Sequence, residues 1–442
     1  MSASKFAESG NIDKLVIHAH GGTKSIDISG GLATLMYFES VLENCVHASL
    51  VIADTGYGDA KLNNLGILAG LPLRGGEKVF LKFTDSYGNQ IAFDNNTKPL
   101  YVDKIRDKYT DGTKTIFTLD LITREFLYNE YYENRALNKY SGKISDTVTR
   151  ILRDSLKTKK NIDVEETLNS EVVYGNTVRP LELCTVLATH GIPSDVKGAR
   201  GKLAGYFFYE TKDGFYFKSI DNLLTTDKVV SLYKYIYNSS GKTPPTGYVG
   251  NILDYSEDFY VSLQEQMRKG TWGFKTETIN LFPEEEVPLN EVELTADDQE
   301  KVAVLASKTS YPDFGEFSNV ITERSFSIKD VGINVNGYNV DDQLDESREE
   351  NFVTAEIISQ SKMRYNQLFT IKIDITVPGN FALFAGRLIE CDFKSTTANN
   401  NANKDLRLSG IYMIADLCHL VTPKETYTRL TLVRESYGGS NP

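Results

Sequence analysis

The chain carries one β-rich pattern twice, about three hundred residues apart. The first copy reads Gly76-Glu77-Lys78-Val79-Phe80-Leu81-Lys82-Phe83, then Leu100-Tyr101-Val102, then Phe117-Thr118-Leu119-Asp120-Leu121-Ile122 with Arg124-Glu125 behind it. The second reads Gly386-Arg387-Leu388-Ile389-Glu390-Cys391-Asp392-Phe393, then Ile411-Tyr412-Met413, then Thr428-Arg429-Leu430-Thr431-Leu432-Val433 and Arg434-Glu435. In both, a glycine opens an alternating strand ending in Phe, a polar connection leads to an aromatic strand, and an alternating strand ends in Arg-Glu. The alignment needs one-residue gaps. If the repeat is structural, Val79, Leu81 and Phe83 match Ile389, Cys391 and Phe393, and Leu119 and Leu121 match Leu430 and Leu432. Residues two apart share a face, so a one-residue slip would turn each set to solvent. A chain built this way presents its own surface twice, which suits an assembly part better than an enzyme.

With 442 residues, 40% of them hydrophobic, the chain buries a substantial core and divides into two to four domains of ~100–200 residues. Tyr (25) and Phe (22) far outnumber Trp (1), and aromatic-rich strands with 33 Gly point to β structure. The net charge of -12 argues against a tight embrace of nucleic acid, which needs clustered Lys and Arg to displace counterions. It suits a surface past which DNA slides. No apolar run reaches the ~18 residues of a membrane span and the N-terminus has no apolar signal core, so neither secretion by the usual route nor membrane insertion is expected. Cys45, Cys184, Cys391 and Cys418 lie far apart in apolar segments, which predicts reduced, buried thiols made in a cytoplasm.

From Lys14 to Glu125 the pattern is mostly strands, Leu15 to His20 and Ser25 to Ile28 flanking a Gly21-Gly22 turn. A helical period follows, with Ile144, Val148, Ile151, Leu152 and Ser155 on one face and Ser145-Asp146 placed to cap the first turn. A second helix starts at Pro180, turns Leu181, Cys184, Leu187 and Ala188 to one side and stops at Gly191. In Gly205 to Lys218, Asp213-Gly214 between aromatic runs predicts a hairpin with a tight primed turn. The acidic stretches Leu281–Lys301 and Asp341–Glu350 read as extended, solvated connections. β patterning resumes at Phe352, is broken by the polar loop Ser395–Asp405, and ends before a loose tail, Gly438–Pro442.

No catalytic, cofactor-binding or metal-ligating residue is assigned, and the binding residues stay unknown. His18 and His20, two apart on a strand, would project from one face, but a metal site needs three or four converging ligands and no third is near. Cys418 and His419 would point to opposite faces and cannot act as nucleophile and base; the pair reads as a core thiol beside an exposed or capped imidazole. His47 sits in no motif, and His190 falls in the last turn of its helix, where the dipole favours positive charge. Gly75-Gly76 and Gly379 precede no helix that could cradle a phosphate. Lys157, Lys159 and Lys160, the densest basic group, read as a solvated helix end.

Several segments together are similar to the central baseplate hub proteins of contractile-tailed bacteriophages. They are Tyr37 to Leu42, Gly70 to Val79, Tyr140 to Asp146, Phe208-Tyr209-Glu210-Thr211 to Ser219-Ile220-Asp221, and Val377-Pro378-Gly379-Asn380 through Ala385-Gly386 to Leu408-Ser409-Gly410-Ile411-Tyr412. The resemblance covers most of Ile26 to Ser436 apart from 283–350. It implies a β-dominated α+β, multidomain fold, with two tail-tube-like β-barrels, an inserted α/β domain and a peripheral domain. The implied boundaries are 1–125 for the first barrel, 126–203 for the insertion, 204–248 plus 352–442 for the second barrel, and 249–351 for the peripheral domain with acidic extended segments.

The implied function is that of a non-enzymatic structural hub without cofactors. It is a homotrimer whose pseudo-sixfold ring of barrels joins the hexameric tail tube to the trimeric cell-puncturing spike and leaves a channel for DNA. The implied partners are the chain itself, the tail spike protein, the tail tube protein or tube-initiator, and baseplate wedge proteins, with no stable nucleic-acid binding. Its place would be the phage tail baseplate of the virion, assembled in the host cytoplasm. The alternatives are the hub of a type VI or other contractile injection system, and a cell-wall hydrolase. With no oligonucleotide/oligosaccharide-fold domain or β-helix after residue 436, a spike on a separate chain is expected.

Overall fold

The computed structural model describes residues 10–21, 24–55, 65–96, 98–112, 114–194, 203–225, 233–237, 250–257, 262–280, 289–295, 304–306, 321–329, 354–394 and 404–437. The polar loop after Ser395, the Asp341–Glu350 cluster and the C-terminal tail fall almost wholly outside them.

The first module contains β1 (Asn11–His18), β2 (Ser25–Asp27), β3 (Leu32–Ser40), β4 (His47–Asp54), the short helix α1 (Ile67–Gly70), β5 (Lys78–Thr84), β6 (Gln90–Phe93), β7 (Leu100–Asp111) and β8 (Lys114–Thr123). Next come α2 (Arg124–Glu130), β9 (Lys139–Lys143), α3 (Ile144–Arg150), β10 (Asn161–Val164), β11 (Ser170–Tyr174), α4 (Pro180–Ala188), β12 (Tyr206–Thr211), β13 (Gly214–Ser219) and α5 (Ile220–Leu224). The chain continues through β14 (Tyr233–Tyr237), β15 (Asn251–Ile252), β16 (Asp254–Glu257), α6 (Leu263–Arg268), β17 (Gly273–Asn280), β18 (Leu289–Thr295) and β19 (Glu323–Lys329). It closes with α7 (Thr354–Leu368), β20 (Ile371–Pro378), β21 (Leu388–Asp392), β22 (Gly410–Val421) and β23 (Thr426–Arg434).

The repeat is real and its register is the proof. Tyr101 stands opposite Lys78 on one side and Ile122 on the other. Met413 stands opposite Leu388 and Val433 in the same way. Each middle strand carries a register shift just beyond, between Val102 and Lys104 and between Ile414 and Asp416. Gly76 N–H donates to the Val102 carbonyl at 2.7 Å, and Gly386 N–H to the Ile414 carbonyl at 2.8 Å. Both glycines have positive φ, +81° and +85°. The matched apolar sets, Val79, Leu81, Phe83, Leu119 and Leu121 against Ile389, Cys391, Phe393, Leu430 and Leu432, are all buried. One detail differs from the sequence alignment: Tyr101 is the counterpart of Met413, one residue along from Tyr412, because strand pairing, and not aromatic identity, sets the register.

The modules do not form two separate closed barrels among the described residues. They share one fifteen-stranded sheet, joined where β3 pairs antiparallel with β22. In the first module the outer side of the end strand β3 is taken by this junction, while in the second the end strand β16 pairs β20 and meets no other described strand. The order β16-β20-β23-β22 of the second module repeats the order β3-β4-β8-β7 of the first, so the sheet runs through two equivalent four-strand units. The copies diverge at their next strands: β5 is flanked by β1 antiparallel, β21 by β14 parallel. A single core cluster draws on both modules, Leu35, Tyr37, Leu81 and Leu119 packing with Ile373, Cys391, Leu430 and Leu432.

Between the modules lies the insertion. Ile144, Val148, Ile151 and Leu152 are buried as their spacing predicts, in α3 and the single π turn that extends it. Ser145 sits inside the first turn; Lys143 holds the cap without a side-chain bond, while Asp146 supplies the negative charge. Pro180 is the first residue of α4, with Leu181, Cys184, Leu187 and Ala188 buried. Gly191 is required by close approach, since a Cβ there would lie 2.7 Å from the Tyr206 ring. The hairpin β12–β13 forms as expected, but Thr211 pairs with Gly214, so Lys212 and Asp213 are the turn residues, neither with the positive φ of a primed turn.

The hairpin's ladder partner is β10 of the insertion, in a separate three-stranded sheet. Phe208, Phe215 and Phe217 pack on α3 and α4, while Phe207 and Tyr209 turn to the second module. Two stretches depart from their sequence patterns. Part of the acidic stretch is a packed element: β18 pairs with β17, and Leu294 is buried against Phe274 and Met363. The segment after residue 352 opens with α7, the longest helix among the described residues, and not with a strand.

Candidate functional site

The face of the joined sheet away from the core is the surface a duplicated chain presents twice. On it, Arg429, Cys418, Phe38, His47 and Ile122 stand opposite one another on successive strands, crossing the module junction without a break. Phe38 and His47 stack at 4.7 Å between ring centroids, and His47 Nδ1 lies 3.3 Å from the Glu43 carboxylate. Two shallow grooves of about 460 and 620 Å³ meet at Phe38, Glu43 and His47.

Neighbouring rows are polar and internally satisfied. Ser49 Oγ donates to Asp120 Oδ1 at 2.5 Å, and Arg106 Nε donates to Asp120 Oδ2 at 2.7 Å. Burial pushes the Asp120 carboxyl upward, but the bonds from Arg106 and Ser49 outweigh it and hold the group below its ordinary range. In the second module Thr431 Oγ1 donates to Asp374 Oδ1 at 2.7 Å, and across the junction Ser40 Oγ donates to Asp416 Oδ1 at 2.5 Å. The face is therefore of mixed charge, with its carboxylates tied down by hydroxyls and one arginine.

Beneath it, buried ionic groups lock the pieces together. Glu39 accepts from Tyr37 OH at 2.8 Å, from the Lys212 N–H of the hairpin turn at 2.7 Å, and from the Ala385 N–H of the second module at 3.0 Å. Burial dominates its titration and pushes the carboxyl up to about 7, against the opposing pull of those bonds. Lys160 is buried between Glu125, at 2.8 Å, and Glu210. Glu210 also accepts from Val46 N–H at 3.1 Å and Thr123 Oγ1 at 3.2 Å, and Glu125 from Thr158 Oγ1 at 2.8 Å. Burial opposes charge on all three. The ammonium of Lys160 outweighs it at Glu125, whose carboxyl is held low, while burial prevails at Glu210, whose carboxyl is raised. The two carboxylates in turn keep the Lys160 ammonium above its ordinary value.

His18 ends β1 edge-on to Phe80, and His20 lies beyond the strand, so the two do not share a strand face. Cys418 and His419 do point oppositely, but in the reverse sense: Cys418 is the partly exposed one, its thiol pushed up to about 11 by burial, and His419 is wholly buried. The imidazole stacks on Tyr37, its Nδ1 lies 2.9 Å from Thr428 Oγ1, and burial pulls its pKa down to about 3. His190 lies just past α4 and meets Glu171 at 3.0 Å, a carboxylate partner in place of the helix end. Lys157 and Lys159 are exposed, but Lys160 is not a solvated end. Cys45, Cys184 and Cys391 are buried, unpaired thiols. Glu39, Glu125 and Glu210 stand in the sequence only as members of the repeat and of the resemblance segments, not as buried ionic groups; the signal was there in Glu210, a charged residue inside an aromatic hairpin.

Neither a family profile nor a curated protein sequence matches the chain. Solved structures do. The 43 kDa tail protein of prophage MuSo2 from Shewanella oneidensis aligns over 96% of this chain and 98% of its own, at 10% identity and a TM-score of 0.53. The tail protein from Neisseria meningitidis MC58 aligns over 97% of both chains, at 8% identity and a TM-score of 0.54. At such identities the likeness speaks for the fold, and it extends from one end of the chain to the other. The chain thus has the whole-length fold of phage tail proteins, the class to which its sequence resemblance points.

Proposed function

We propose that the chain is the non-enzymatic hub of a contractile phage baseplate, a homotrimer that adapts a sixfold tail tube to a threefold spike. The observation that carries this is the sheet made of two equivalent four-strand units: three copies supply six such units, so a threefold ring offers a nearly sixfold surface. The polar outer face of mixed charge, its carboxylates held by hydroxyls and by Arg106, would line the channel. A basic lumen would hold DNA by counterion release, whereas this one lets it pass. The tube, the spike and the wedge proteins are its partners, and the virion is its place. The domains in this reading are the two modules, 1–125 and 352–442 with β14 to β16, the insertion 126–224 including the hairpin, and a peripheral unit around β17 to β19.

Light scattering of the purified chain across a concentration range tests it. A mass of three chains is expected; a monomer throughout refutes the ring. A peptidoglycan zymogram addresses the rival reading, since clearing that a carboxylate substitution abolishes would make the chain a hydrolase.

A further inference from the structure

Lys160 is the only buried lysine among the described residues, and its Nζ lies against two carboxylates that are themselves buried. We propose that Lys160 Nζ and the Glu210 carboxyl condense to an amide, with Glu125 carrying the proton. The folded chain thereby cross-links its insertion to its hairpin across 50 residues of sequence. The link forms whether or not the chain makes a ring.

The reactants are held together by the fold. Lys160 stands just before β10 and Glu210 lies in β12, two strands of one three-stranded sheet, and Nζ donates to Glu210 Oε1. Nucleophile and electrophile held in contact need no encounter, the entropic advantage of an intramolecular reaction. The other oxygen, Glu210 Oε2, accepts from Val46 N–H at 3.1 Å and from Thr123 Oγ1 at 3.2 Å. These two donors, brought in by the first module, stand where negative charge gathers on Oε2 as the carboxyl carbon becomes tetrahedral. Glu125 Oε2 lies 2.8 Å from Nζ and has no other partner among the described residues. Its Oε1 accepts from Thr158 Oγ1 at 2.8 Å, so the carboxylate is fixed with one oxygen free to take a proton.

Burial makes the neutral reactants accessible. The ammonium is the resting form, kept by the two carboxylates beside it. The site is dry, with the Phe215 ring 5.6 Å from Nζ. Passing one proton from Nζ to Glu210 there replaces two buried charges by an amine and an acid. Burial already raises the Glu210 carboxyl, while Glu125, against its own burial, is held low by the ammonium, as an acid to be attacked and a base beside it require. The exposed pair Lys143 and Glu166 has water to keep both its ions charged.

The atoms balance without a further reagent. Nζ gives one proton to Glu210 Oε1 and attacks the carboxyl carbon, passing a second proton to Glu125 Oε2 as the new bond forms. Glu125 hands that proton to Oε1. The carbon–Oε1 bond breaks with its electron pair on Oε1, which leaves as water. The amide keeps one hydrogen on Nζ, and Glu125 ends as the carboxylate it began as.

The full chain, purified folded and then denatured, is weighed by mass spectrometry. A mass one water below that of the sequence is expected, with trypsin releasing peptide 160–179 joined to peptide 203–212 and no cut after Lys160. The full mass of the sequence, or a water lost elsewhere while trypsin cuts after Lys160, overturns the cross-link and leaves an ion pair only. Glu125→Gln keeps the shape of the side chain but cannot carry the proton, and general acid–base help of this kind is worth about a hundredfold or more. The folded variant is expected to keep its full mass through purification; one that loses the water as fast as the native chain overturns the role of Glu125. Because that variant can misfold, the mass of the unmodified chain decides the cross-link by itself.

Discussion

The Ala385 N–H donates to Glu39 Oε2 at 3.0 Å across 346 residues of sequence, and the other oxygen of the same carboxylate holds the hairpin turn through Lys212. One side chain thus ties the first module to both the hairpin and the second. Glu39→Ala leaves two backbone donors and the Tyr37 hydroxyl without acceptors in a dry core, each costing about 1–3 kcal/mol. The expected result is a loss of several kcal/mol, read as a large drop in thermal midpoint, with the hairpin turn becoming cleavable by protease.

The same residue predicts a pH dependence. Its folded pKa, about 7, lies above its ordinary value of 4.5, so the folded chain binds the extra proton between those values. Its contribution is fully present below pH 4.5 and is lost as pH rises towards 7. Glu39→Gln removes that titration, so the stability of the native protein relative to the variant should fall by roughly 3 kcal/mol across this window. Denaturation curves at four or five pH values check it; a difference that rises with pH contradicts it.

Lys160→Met leaves Glu125 and Glu210 facing each other without their shared cation. Breaking a buried pair costs about 3–5 kcal/mol. Chemical denaturation followed by the aromatic signal of the hairpin should show that loss, and Lys159→Met, at an exposed neighbour, should show almost none.

Gly76 and Gly386 are equivalent in backbone and unequal in surroundings. At Gly76 an added Cβ meets only His20, at 3.8 Å, whereas at Gly386 it runs into the Tyr209 hydroxyl. Both alanine variants suffer the left-handed backbone penalty of about 1–2 kcal/mol, but Gly386→Ala should lose clearly more stability than Gly76→Ala. Equal losses in denaturant melts would mean that Tyr209 gives way freely.

Cys418 should be the first native thiol to react with iodoacetamide, and slowly, because burial has pushed its pKa up to about 11. Mass spectrometry of the folded protein should show one label per chain before Cys45, Cys184 or Cys391 take any.

The parts of this fold that were readable in the sequence are those where one rule dominates. Val79-Leu81-Phe83 and Leu430-Leu432 alternate because one face of each strand is buried, and Pro180 starts α4 because its missing N–H is not needed there. Helix α7 escaped because it buries Ser359, Gln360, Ser361 and Arg364 together with Met363 and Leu368, which erases the apolar stripe. His419 and Cys418 exchanged places because burial followed the ring stack with Tyr37, a contact between residues in different modules. The ionic locks at Glu39 and Lys160 were hidden for the same reason: no local pattern records a partner that arrives from another strand.

Asp120 and Thr431 are counterparts, as are Ser49 and Asp374, and the two cross-strand bonds are the same bond with the acid and the hydroxyl exchanged. After a duplication, such an exchange keeps each half folded while moving its negative charge by the width of one strand. Around the proposed ring of three copies the charges would alternate in spacing, long and short, with a period of one chain. A partner that touches only the backbone outline would find six nearly interchangeable seats, and a partner that senses charge would find three.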